Sequence, residues 1–563
     1  MRSTRIGVGL TAAALAVALG ASACSSSKSS PAPKAAPKAT VNDINPVPRS
    51  QLKQGGTLTW PLDQFSTQWN YNEADGPESS TAAVVQALLP SFFHFDAGGA
   101  PSANTDYLTG EPTVSTVGGK QTVTYELNPK AKWSDGTPIT EADFAAQWKA
   151  LNGANSAYNV ASTTGYSQIS NVAAGKSPEE VVVTFSSNFA DWKSLFAPLY
   201  PASTNSTPDA FNKGWLNKIP VTAGPFKFQA FNATDKTVTV VRDPNWWGDP
   251  AILDSIVFKT VDIAATADAF ASGEVDWFDI GPSATDYKKS VGVKGAKIRV
   301  AGGPNFRHMT LNAQSQMLSD VRVRQAVAEA VDRTAIAKSD LAGLPWPDKP
   351  LGNHFFVNNQ NGYVDNSAAV GKYDPNAAKQ LLDQAGWTQG SGQYRTKDGK
   401  TLELKLVIPD GVPVSANEGT LMQHFLAAVG IKLDIDAVNS DDFFDKYVNP
   451  GQFDITVFSW IGNDFPVSSN ASIYQNPQGT NIFQNFARTG SAQIDGMLTK
   501  AQADLDPKQA IADANAADAA IWQEAGVIPF YQRPDFVAEK ANLANFGAFG
   551  FADTVYQNIG FTQ

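Results

Sequence analysis

Residues 125–148 read YELNPKAKWSDGTPITEADFAAQW, and their order sets the terms for the rest of the chain. Tyr125, Leu127 and Trp133 fall on alternating positions, with Glu126 and Asn128 between the first of them. That is the period of a strand with one buried face. Ser134-Asp135-Gly136 breaks the pattern, because Asp bonds its own backbone and Gly accepts a positive φ. Thr140 then offers a hydroxyl N-cap, and Glu141 and Asp143 occupy the positive first turn of a helix. Phe144 and Trp148 are four apart and share one helix face. The expectation is strand, tight turn, helix.

The same reading extends outward. Thr81–Leu89 predicts a helix with Val84, Val85, Leu88 and Leu89 on one face, and the β-branched run Val181–Phe185 a strand. Asp374 is an N-cap, Pro375 suits a first helical turn, and Gly386 suits the left-handed C-terminal position, so a helix lies between them. Asp398-Gly399 predicts a hairpin turn. Leu402–Ile408, a helix around Glu418–Val429, Ile431–Ile435 and Phe453–Trp460 repeat a β-α-β pattern, which argues for an α/β lobe.

At 563 residues, 42% hydrophobic and 10% aromatic, the chain exceeds one ordinary domain and can bury large cores. The formal charge is −11; the first 23 residues carry Arg2 and Arg5 and no acid, so removing them gives −13. Such an acidic surface disfavours nucleic-acid binding. Residues 1–23 read as an export signal: a charged start, the apolar run Ile6–Leu19, then Ala21-Ser22-Ala23 before Cys24. Cys24 is the only cysteine, so no disulfide can form within the chain. Residues 24–54, rich in Ser, Pro, Ala and Lys, predict a disordered tether.

The stretch KWSDGTPITEADF at 132–144 resembles the signature of family 5 solute-binding proteins of ABC importers, the oligopeptide- and dipeptide-binding group. Further likenesses follow in the family's order: GGTLTW at 55–60, AGPFKF at 223–228, the Asn245-Trp246-Trp247 segment with Trp where Tyr is common, ASGEVD at 271–276, DVRVRQA at 320–326, and the A-x-x-L-L-x-x-A-G helix ending at Gly386. Cys24 stands where a bacterial lipobox places its lipidated residue, with Ala21 in place of the usual Leu. The resemblance covers about residues 55–563. It implies an α/β, two-lobed periplasmic-binding-protein-like fold (type II, cluster C) with an extra small α/β subdomain at 100–219. Lobe I would comprise 55–99, 220–300 and 528–563, and lobe II 301–527. It implies an extracytoplasmic, lipid-anchored, monomeric protein that captures peptides for an ABC permease. An alternative is an envelope lipoprotein using the fold in cell-wall or glycolipid assembly or in signalling.

Ligands of open α/β lobes gather beyond the carboxyl ends of strands, which directs attention to Trp460 and the loop Ile461–Pro466. Peptide-binding relatives have a Trp here and, three residues on, an Asp for the peptide's ammonium; this chain has Asn463 at that place and Asp464 one later. Either a one-residue slip keeps the role in Asp464, or Asp464 caps a turn and the ligand lacks a free amine. Trp460 is either an apolar wall for the ligand or strand-to-loop packing, and Phe465 belongs to the same loop. Trp69 and Tyr71 lie in a loop that approaches the cleft in the resemblance, or pack that loop. Phe306, Arg307 and Asn485 are weaker ligand-binding candidates. Arg322, Arg324 and Arg333 belong to scaffold. No enzyme motif is present: the four histidines lack metal spacing, there is no G-x-S-x-G elbow, and no paired carboxylates stand out. No metal or other cofactor is expected.

Overall fold

In the computed structural model, which describes residues 42–563, the stretch 125–148 forms the expected strand, turn and helix. Gly136 takes φ +90° and Asp135 Oδ1 accepts from Thr137 N at 2.9 Å. The helix Glu141–Leu151 starts after Thr140, whose backbone N donates to Asp143 Oδ2 at 3.0 Å. Tyr125, Trp133 and Phe144 are buried, while Trp148 lies at the margin of the same core.

The strand Lys120–Glu126 sits in a four-stranded antiparallel sheet, in the order Thr113–Val117, Lys120–Glu126, Glu180–Phe185, Ile169–Ala174. A second four-stranded sheet runs Phe226–Asn232, Thr237–Arg242, Ser255–Thr260, Thr57–Leu62, its last pair parallel. One core joins both sheets and includes Leu58, Trp60, Phe92, Phe144, Val183 and Phe258. This is the first lobe with its subdomain.

The other lobe is built on a six-stranded mixed sheet, ordered Trp277–Asp279, Val527–Lys540, Ala296–Leu311, Ile455–Trp460, Glu403–Pro409, Lys432–Val438. Glu403–Pro409, the helix Pro413–Ala428 and the parallel strand Lys432–Val438 form the expected β-α-β unit; a parallel pair requires such a crossover. Two apolar clusters cover this sheet. One contains Val323, Val327, Leu382, Met422 and Leu426; the other contains Phe443, Phe458, Ile494, Leu498 and Ile521. The helix Pro375–Gln384 is capped as expected: Asp374 Oδ1 accepts from Asn376 N and Ala377 N, both at 3.0 Å, and Gly386 takes φ +85°. The hairpin residues Asp398 and Gly399 both have positive φ.

Three boundaries differ from expectation. Val261, Phe270, Val275 and Phe278 pack in the second lobe's core, so 220–300 does not belong as a block to the first. The expected boundaries at residues 300 and 528 fall inside the paired strands Ala296–Leu311 and Val527–Lys540, and Ile528, Phe530, Phe536 and Ala538 of the expected first lobe pack in the second lobe's core. Third, residues 42–54 are no disordered tether. Asp43–Ile44 pairs with Gly547–Ala548, and Leu52–Lys53 with Phe561–Thr562. Low hydrophobicity hides this order, because the segment is held by backbone pairing, by the side chains of Asp43 and Arg49, and by Leu52 packed on Ile252 and Ala544. The expected export signal, Cys24 and the first part of the tether lie outside the described residues. No helix among the described residues is long and apolar enough to cross a membrane.

Candidate ligand-binding cleft

The two lobes meet at their rims. Lys236 Nζ pairs with Asp441 at 2.9 Å, Asn449 Nδ2 donates to Asp75 Oδ1 at 3.2 Å, and Ala190 N donates to Gln502 O at 2.8 Å. Ser468 Oγ donates to Asp191 Oδ2. The ring of Phe465 meets that of Phe95 edge-on, 5.4 Å between centroids. These contacts come from opposite sides of the crossing strands and describe a closed arrangement, of the kind reached by hinge motion.

Trp460 ends the strand Ile455–Trp460 and is 9% exposed. Its indole lies between His308, stacked at 5.6 Å, and Phe486, stacked at 5.5 Å. Its Nε1 has no partner among the described residues, and a buried indole N–H usually finds one. Asn463 is exposed, and its Oδ1 accepts from Phe465 N at 2.9 Å, closing a local turn. Asp464 turns toward the first lobe: a Cβ placed on Gly99 would come within 2.4 Å of its Oδ1. Burial raises the Asp464 carboxyl to about 7, and the nearby charges of Asp553 and Asp96 add to the shift.

A charged cluster lies where the strand Thr57–Leu62 ends against the crossing strands. Arg533 Nη2 pairs with Asp279 Oδ2 at 2.5 Å, and Asp63 and Asp535 stand within electrostatic reach of both. Burial raises the Asp535 carboxyl to about 7. Asp63 has an exposed surface, yet desolvation also raises its carboxyl. Nearer the rim, Glu78 is raised to about 7, first by burial and then by Asp445 and Asp75. The cluster of Asp63, Asp279, Arg533 and Asp535 thus carries three carboxyl groups against one guanidinium.

Four expected ligand residues are placed elsewhere. Trp69 is 1% exposed and stacks on Phe231 at 5.5 Å within the first lobe. Phe306 is buried in the second lobe's aromatic cluster. Arg307 is spent on a buried fork, with Nε to Glu418 Oε1 at 2.8 Å and Nη2 to Glu418 Oε2 at 2.6 Å. Asn485 is fully buried, and its Nδ2 donates to Gln475 O at 2.9 Å and to Thr489 O. Tyr71 stays half-buried, its phenol raised by burial and its backbone N donating to Tyr200 Oη at 2.7 Å. The three arginines are scaffold as expected: Arg322 pairs with Asp320, Arg324 with Glu524, and Arg333 donates to the carbonyls of Gly371, Leu351 and Pro529. No group of three or more His, Cys, Asp or Glu side chains among the described residues could hold a metal.

The profile described as "Bacterial extracellular solute-binding proteins, family 5 Middle" matches residues 111–481. The chain belongs to this family. It is 39% identical to the oligopeptide-binding protein OppA of Mycobacterium tuberculosis over 536 residues, 94% of this chain and 89% of that one. Its fold matches the periplasmic EDTA-binding protein EppA with a TM-score of 0.79 at 26% identity, covering 93% of this chain and 99% of that one. It also matches Bacillus subtilis AppA, an oligopeptide-binding protein solved with a nonapeptide, with a TM-score of 0.79 at 19% identity, covering 91% and 100%. The family 5 fold is two-lobed, so the space between the lobes is the natural place for its solute. The cluster Asp63–Asp279–Arg533–Asp535 escaped the sequence because its members come from distant segments, and no local motif joins them.

Proposed function

We propose that this family 5 protein captures peptides outside the cytoplasm and hands them to an ABC permease, as a monomer held to the membrane through acylated Cys24. The observation that carries this reading is the identity to an oligopeptide-binding protein along nearly the whole chain. The cleft chemistry agrees with it. A peptide brings an ammonium, and often basic side chains, and the carboxylates Asp63, Asp279 and Asp535 would receive them through charge-assisted hydrogen bonds. Trp460 Nε1, the exposed Asn463, Tyr71 and the ring of Phe465 supply neutral polar and apolar contacts around the backbone of the guest. Asp464 contributes through lobe closure.

Calorimetric titration with Lys-Lys-Lys, Ala-Ala-Ala and their N-acetylated forms tests the site. The free-amine peptides should bind, the lysine peptide more tightly, and acetylation should weaken binding about tenfold or more, as expected for a lost charged hydrogen bond of about 1.5–3 kcal/mol. Equal affinity for acetylated and free forms would remove the ammonium role. Mass spectrometry of co-purifying solute that found only non-peptides would remove the peptide reading. Cys24→Ser should move the protein from the membrane fraction to the medium.

A further inference from the structure

The segment just upstream of the first lobe is bonded mainly to residues 545–558, and through Asp43 to the strands that connect the lobes. Asn45 N donates to Phe546 O at 2.9 Å, and Asn545 N to Asn45 O at 2.7 Å. Asn545 grips Val47 from both sides: its Oδ1 accepts from Val47 N at 2.8 Å, and its Nδ2 donates to Val47 O at 3.0 Å. Arg49 Nη1 donates to Gln557 O at 2.7 Å, and Nη2 donates to Pro250 O. Gly547 permits the close approach, since a Cβ there would lie 2.4 Å from Asp43 O.

Asp43 reaches further than the rest. Its Oδ2 accepts from Val300 N at 3.1 Å, and its Oδ1 pairs with Arg299 Nη1 at 3.2 Å. Arg299 Nε in turn donates to Glu539 Oε1 at 2.7 Å. Arg299 lies on the strand Ala296–Leu311 and Glu539 on the strand Val527–Lys540. On one face of these two strands the core changes hands: Ala301 and Val537 pack in the first lobe, Phe306 and Val527 in the second, while the other face, with Ile298, Val300, Phe536 and Ala538, stays in the second lobe. Glu539 is fully buried and its Oε2 has no partner among the described residues. Arg299 therefore holds together a carboxylate from each side, and losing Asp43 leaves it bound on one side only.

We propose that residues 42–54 form a strap on the inter-lobe hinge, with Asp43 clamping the paired crossing strands through Arg299 and Val300, so that docking of the strap favours the closed lobes. The strap touches no residue assigned to the cleft floor, so its effect on solute binding passes through the hinge alone.

The test is single-molecule energy transfer on the full chain carrying Cys24→Ser, with dyes on Val117→Cys in the subdomain sheet and Tyr373→Cys in the second lobe, both exposed sites. In the solute-free protein, Asp43→Ala should raise the open population several-fold. Asp43→Asn, which retains an acceptor for Val300 N but loses the ion pair, should give an intermediate distribution. Asn545→Ala, which frees the strap at Val47, should widen the distribution without touching the ion pair. Thermal unfolding measured alongside shows that each variant is folded at the temperature of the experiment. Inter-lobe distributions equal to the parent in Asp43→Ala and Asn545→Ala would overturn the proposal and leave the strap as packing. Peptide titration is not needed for this reading, so the hinge role and the solute class fail separately.

Discussion

At the scale of single residues, burial divides structural charges from functional ones. Arg307 and Glu418 are both removed from water and satisfied by each other. Arg307→Ala would leave Glu418 buried and unpaired, and is expected to destabilise the fold by about 3–5 kcal/mol in urea unfolding; a folded variant with lost solute affinity alone would contradict that. Asp464 behaves differently. Its carboxyl is raised to about 7 with the lobes shut, against about 4 for a free Asp. A raised acid penalises the closed form once it must ionise, so closure is favoured fully below pH 4 and loses that advantage as pH climbs toward 7. Solute affinity should fall several-fold from pH 5 to pH 8, less than the full shift implies because the side chain is partly exposed. Asp464→Asn should flatten that profile in calorimetry at the two pH values. The loop sequence drew attention to Trp460–Phe465, but not to the direction of Asp464. That depended on Gly99 and Asp553, residues far away along the chain.

At the scale of elements, caps and turns were legible because their physics is local. Asp374 accepts two backbone N–H groups at the start of the helix Pro375–Gln384, and Asp374→Ala should cost about 1 kcal/mol, read as a lowered midpoint in chemical unfolding with unchanged solute affinity. Gly99 has φ +77° and lies against Asp464. Gly99→Ala adds backbone strain of about 1 kcal/mol and a clash at the rim, so peptide affinity should drop by more than stability does; equal losses in titration and thermal melts would deny the rim its part in closure. The β-α-β unit was legible for the same reason, its strands and helix being contiguous. The crossing strands were not, since Ala296–Leu311 and Val527–Lys540 lie more than 200 residues apart in sequence and change cores on one face only. Nor was the docked segment 42–54, whose composition resembles that of an unfolded chain.

At the scale of the whole molecule, the two lobes share a floor of like charge. Asp63, Asp279 and Asp535 surround one Arg533, and burial raises Asp63 and Asp535 toward their neutral forms, so a cation held among them favours the ionised carboxylates that empty closure disfavours. Asp535→Asn should reduce affinity for Lys-Lys-Lys at least several-fold more than for Ala-Ala-Ala, and equal losses in paired titrations would assign Asp535 to the hinge rather than to the guest. A further consequence comes from the small sheet in which Leu52–Lys53 and Leu543–Ala544 flank Gly560–Thr562. The first of these strands is separated from the other two by nearly the whole of both lobes, so this sheet can pair only after the polypeptide between them exists, and its closure is a late, long-range step of folding.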